Sequence, residues 1–84
     1  MDRIDMLLNI LIAVREGQRT LASARDDIKS IADSVLITPD GRPHSTNIAV
    51  LRHEGFHTYP GERDGFGWLT GVLHIPHHGH VVFG

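Results

Sequence analysis

Arginine, histidine and aromatic side chains carry most of the chemistry open to this sequence, and every histidine and aromatic residue lies in its second half. Seven of the eight basic residues are arginine, and Arg42, Arg52 and Arg63 share that half with His44, Ser45, Thr46, Asn47, His57, Tyr59 and Trp68. A guanidinium offers a planar fork to phosphate or carboxylate, hydroxyls and turn amides complete such a cradle, and an aromatic ring stacks on a base. The set suits a small phosphorylated or nucleotide ligand, with Arg42, His57, Tyr59, Arg63 and Trp68 as the expected contacts. A structural reading competes with it. Glu62, Arg63 and Asp64 can form a local ion-paired turn, and Phe66 and Trp68, two apart on one strand face, can belong to a core or an interface.

The histidines form the second group. His74, His77, His78 and His80 crowd one turn, and two imidazoles on strand ends with one in the turn could reach about 2.1 Å from zinc. No acidic residue lies among them to orient a ring, and no HExxH-type helical spacing is present, so the four are weak candidates and no metal or other cofactor is assigned.

Signatures of catalysis are missing. Serine, histidine and aspartate all occur, but there is no GxSxG elbow, P-loop, dinucleotide fingerprint or EF-hand, and 84 residues leave little depth for desolvating a catalytic pair. A non-catalytic protein is expected.

Size and charge narrow the classes further. A chain this short buries only about 60% of its unfolded surface, and the absence of cysteine removes disulfides and thiolate zinc sites as supports. Subunit contacts are the remaining ordinary support. A formal charge of −2 provides no basic field for non-specific DNA binding. Residues 6–14 are apolar except for Asn9, too short a run to span a bilayer and unlike a signal peptide; with no cysteine either, a cytoplasmic location is expected, in a host cell if the protein is viral.

The elements that must position these groups begin with a helical pattern. Leu7, Val14, Leu21, Ile28 and Val35 fall seven apart, and Ile10, Gly17, Ala24 and Ile31 follow the first four by three, an a/d heptad seam. Asp2 is the expected N-cap, with Asp5 in the first turn. The unbroken register favours one long helix, straight or kinked at Gly17, over a helical hairpin. Against this, the run from Arg15 through Glu16 and Gly17 to Gln18 has the look of a helix end with a C′ glycine. The first half of the pattern is apolar on several sides, with Ile4, Met6, Leu8, Leu11, Ile12 and Ala13 beside the seam. A small sheet cannot cover all of it, so Leu7, Ile10, Val14, Leu21, Ala24, Ile28 and Ile31 are expected at an interface with a second copy.

Beyond Val35 the texture turns β-like. Residues 34–38 read as a strand or a frayed helix end, and Pro39, Asp40 and Gly41 as a turn. Residues 46–52 read as a strand centred on Ile48, Ala49, Val50 and Leu51, with breaks at Glu54-Gly55 and Pro60-Gly61. Residues 66–75 form the longest strand candidate, and residues 80–83 pair back on it through a turn at residues 76–79. The expected fold is α+β: a long N-terminal helix followed by a small antiparallel sheet of three to four strands. It forms one domain over residues 1–84, with a helical oligomerisation segment at 1–34 and a β-rich binding segment at 35–84.

The leading expectation is a homo-oligomeric binding protein that sequesters a small phosphorylated or nucleotide ligand at subunit borders. The alternatives are an inhibitor or adaptor that occludes a host protein, and a small histidine-metal enzyme. In size and texture the chain resembles phage accessory proteins, some of which block host defence by sequestering nucleotide signals or by occluding a protein; the resemblance assigns no residue.

Overall fold

The computed structural model describes every residue except Asp64, Phe66 and Trp68, and the backbone alone of Arg63. Its described elements are α1 (Arg3–Arg15), α2 (Leu21–Val35), α3 (Ser45–His53), β1 (His57–Arg63), β2 (Leu69–Ile75) and β3 (Gly79–Phe83). The order is α+β, with the sheet antiparallel in the order β1-β2-β3.

One long N-terminal helix does not form. Gly17 adopts φ +78°, its N–H bonds the Val14 carbonyl at 3.1 Å, and Gln18 N–H bonds the Ala13 carbonyl at 2.8 Å. This pair is the Schellman arrangement, which satisfies the last carbonyls of α1 and turns the chain out of the helix. Thr20 then caps α2, its Oγ1 accepting from Ser23 N–H at 3.1 Å. Asp2 occupies the N-cap position of α1, but its side chain makes no capping bond. The heptad spacing survives the break because residues 16–20 carry the chain from the inward face of α1 to the inward face of α2.

The seam is therefore spent inside the chain. Leu7, Val14, Ala24, Ile28 and Ile31 are buried, and Ile10 and Leu21 are half-buried against the same core. The premise that the chain cannot hide these side chains is corrected: α1 covers α2, and α2 covers β3. The large apolar side chains that the three helices leave exposed are Met6 of α1 and Val50 of α3.

Residues 46–52 are helical rather than extended. His44 caps α3, its Nδ1 accepting from Asn47 N–H at 3.2 Å, and Asn47 Nδ2 donates to the Val35 carbonyl at 2.9 Å. A second Schellman motif closes the helix: Gly55 N–H bonds Arg52 O at 3.0 Å, and Phe56 N–H bonds Leu51 O at 2.9 Å. Leu51 and Phe56 are both fully buried, the apolar contact that accompanies this motif. A short apolar run cannot be sorted into helix or strand by periodicity, and here the caps decide it. The expected turn at residues 39–41 is present, bracketed by an isolated bridge from Ile37 to Pro43.

In the sheet, burial alternates along β2 and β3, so Leu69, Leu73, Ile75, Val81 and Phe83 face the helices. The β2–β3 hairpin forms through the expected turn, whereas β1, a strand through the Pro60-Gly61 break, was not expected. It tolerates both residues because it is an edge strand with an irregularity between Pro60 and Arg63. The other edge, β3, is capped by α2. Arg25 Nη1 donates to His80 O at 3.1 Å, and Asp33 Oδ1 accepts from Gly84 N–H at 2.6 Å. Eight helical residues rise about 12 Å, and four strand residues about 13 Å, so the two contacts keep step along helix and strand.

Candidate functional site

The three helices lie on one side of the sheet, leaving the other side uncovered among the described residues. Side chains directly opposite one another on antiparallel strands share a face. The register pairs His57 with His74 and His74 with His80, and on the next outward rung Tyr59 with Val72 and Val72 with Val82. The outer face therefore carries a row of three imidazoles beside an aromatic-aliphatic row. Tyr59 and Val82, on the two edge strands, are 57% and 55% exposed.

Of the five expected ligand contacts, the structure brings two together. His57 and Tyr59 lie on β1 with both side chains on this outer face. Arg42 is elsewhere, in the turn that bridges Ile37 and Pro43. Residues 37–39 border Leu69 and Gly84, whereas the imidazole row crosses β2 at His74, five residues or about 16 Å along the strand. Arg42 is also engaged, with Nε 3.3 Å from Asp40 Oδ2, so its charge is locally balanced. The side chain of Arg63 and all of Trp68 lie outside the described residues, as do Phe66 and the expected ion-paired turn with Asp64.

The four turn histidines separate into two pairs. His74 and His80 face one another across β2 and β3, while His77 and His78 lie in the exposed connecting turn, His77 with φ +67°. His57 takes the third place in the row instead. The rings of His57, His74 and His80 make no hydrogen bond or ion pair with any described residue. No group of three or more histidine or acidic side chains among the described residues could hold a metal ion.

Depressions elsewhere are open. One of about 430 Å³ lies between Ile37, Pro39, Leu69 and Gly84, and another follows α3 past Thr46, Val50 and His53. Asp33, Ser34 and Thr38 also line the first, and Ser45 and Glu54 the second. Among the described helices none is long and apolar enough to cross a membrane.

Comparison with known proteins adds no assignment: no family model matches the chain, and no curated protein or solved structure resembles it significantly. The outer sheet face is thus identified by its geometry alone.

Proposed function

We propose that this chain is a non-catalytic binding protein that docks a protein partner on the outer face of its sheet. The observation that supports this is the row of exposed Tyr59 and Val82 on either side of half-buried Val72, on a face that no element covers among the described residues. A flat face with an aromatic-aliphatic centre and polar neighbours suits a macromolecular surface, whereas small ligands take concave sites that enclose most of their area. A second copy of the chain is the first partner to test, because a small cysteine-free domain gains most from self-association. Light scattering of wild type and a Tyr59→Ser/Val82→Ser variant examines this directly. Self-association lost in the variant, with an unchanged thermal midpoint, assigns the face to homo-oligomers. A monomer in both cases directs the search to a host protein, with the same variant as the binding control. If both variant and wild type bind the same partner equally well, the face is the wrong surface.

A second reading keeps the small phosphorylated ligand, favoured by His57 lying beside Tyr59 on this face. Imidazole N–H groups donate to phosphate oxygens, and a tyrosine ring stacks on a base. Thermal melts against cyclic and linear nucleotides test it, with no shift at millimolar ligand counting against it.

A further inference from the structure

We propose that the outer sheet face takes a second copy of the chain face to face, and that the row of His57, His74 and His80 releases this copy as the pH falls through about 6.5. The inference rests on the docking reading above and names its partner and its control. One outward rung holds the three histidines, the next holds Tyr59, Val72 and Val82, and Thr70 lies beyond them on β2. None of these is Asp, Glu, Lys or Arg, although such residues make up 21% of the chain. In a twofold contact a patch meets itself, so a face of one charge sign repels its copy and an uncharged face does not. Three strands spaced about 4.8 Å apart and about five residues long make a patch of roughly 14 by 17 Å. That is well under the about 800 Å² per partner of a standard interface, so the association is weak and reversible, and a few charges decide it.

No carboxylate balances a proton taken up by this row. The helices pack on the opposite side of the sheet: Arg25 of α2 reaches only the backbone carbonyl of His80, and α3, which packs on β1, ends in Arg52, His53 and Glu54. Glu62 lies past the second rung on β1, and His77 and His78 lie in the turn. Among the described residues none of these groups makes an ion pair with the three rings. Neighbouring places on the rung are about 5 Å apart, and facing sheets stand about 10 Å apart, so charge on one copy meets like charge on the other. Burial against the second copy therefore favours neutral imidazole, and the contact is complete above the range in which free imidazoles titrate and is lost as pH falls through it. Each proton that the contact excludes weakens association about tenfold between pH 7.5 and 5.5, so two per dimer give about a hundredfold.

The test is sedimentation equilibrium of the full, untagged chain at pH 7.5, 6.3 and 5.5, with circular dichroism at each pH to follow the fold of the protomer. The net charge of the chain passes through zero near pH 6.3, where non-specific association is normally strongest, so weakening at that pH reports the row and not the overall charge. Self-association at pH 7.5 that falls at least about a hundredfold by pH 5.5 is expected. A His57→Gln/His74→Gln/His80→Gln variant should change less than about threefold over the same range, because its row stays neutral. His80→Gln alone, at the exposed end of the row, should shrink the change by at least about threefold, and His77→Gln/His78→Gln should keep the wild-type pH profile. A monomer at pH 7.5 and millimolar concentration overturns the proposal. Association of equal strength at all three pH values overturns the control by the row while leaving the docking face in place, whereas association unaffected by Tyr59→Ser/Val82→Ser removes the docking face itself. A pH profile that persists in the triple variant, or disappears with His77 and His78, overturns the proposal because the titrating groups then lie elsewhere.

Discussion

The guanidinium of Arg15 lies 5.0 Å from the centroid of the Phe56 ring while its Nη1 donates to the Glu54 carbonyl at 2.7 Å. One side chain at the end of α1 thereby closes the end of α3: it satisfies a carbonyl the helix leaves open and covers the face of the residue that anchors the Schellman turn. Arg15→Ala should destabilise the fold by about 1–2 kcal/mol, combining a lost charge-assisted hydrogen bond with a cation–π contact. Arg15→Lys should recover only part of this, since an ammonium lacks the planar fork. Urea denaturation of the two variants reads both effects.

Gly17 distinguishes the hairpin from a continuous helix by the sign of one substitution. At φ +78° an alanine must enter the left-handed region, at a cost of about 1–2 kcal/mol, so Gly17→Ala should lower the denaturation midpoint. In an uninterrupted helix the same change would stabilise by about 1 kcal/mol. A raised midpoint with stronger helical dichroism would contradict the hairpin.

The contacts from Arg25 and Asp33 cover an edge that is otherwise prone to pairing. The segment His80-Val81-Val82-Phe83 carries no Lys, Asp, Glu or Pro, the usual protections of an exposed edge strand. Replacing both Arg25 and Asp33 by alanine should cost about 1 kcal/mol per hydrogen bond and speed amide exchange in β3. It should also produce concentration-dependent association in sedimentation runs beyond that of wild type. Unchanged exchange in β3 would show that the helix side chains do not protect the strand.

Thr58 is 4% exposed on the inner face of β1, and its Oγ1 has no hydrogen-bond partner among the described residues. A buried hydroxyl without a partner carries a desolvation cost that a shape-matched apolar side chain removes. Thr58→Val should therefore raise stability by about 1 kcal/mol, measured as a higher denaturant midpoint at unchanged m-value. A loss of stability would mean that the hydroxyl is bonded in solution.

Much of the local structure was legible because short-range chemistry specifies it. The turn at residues 39–41 and the β2–β3 hairpin follow from proline and glycine between apolar runs, and the apolar stripe of α2 follows from its spacing. The helix end at Glu16-Gly17 was visible too, and the continuous heptad argued against it only because the connecting turn preserves a seven-residue interval. Glu54-Gly55 repeats the same signal, and reading it as a C′ glycine would have revealed α3 in place of a strand. β1 was obscured by Pro60 and Gly61, which a central strand would exclude but an edge strand admits.

The candidate site was less legible. His57 lies seventeen residues from His74, and nothing in that interval announces that the two face one another; proximity in sequence pointed instead to His77 and His78, which the turn carries away from the row. Arg42 and Tyr59 looked like partners because both belong to the polar second half, yet the fold puts the Arg42 turn toward the far end of the sheet from the imidazoles.

By itself the sequence determined which segments are amphipathic, where most of the chain turns, and that no cysteine is available to cross-link it, because these depend on neighbouring residues. Only the tertiary structure decided that the heptad seam is consumed as core and which side chains occupy a common rung of the sheet. Strand register and helix docking join residues distant along the chain, through burial that no local spacing encodes.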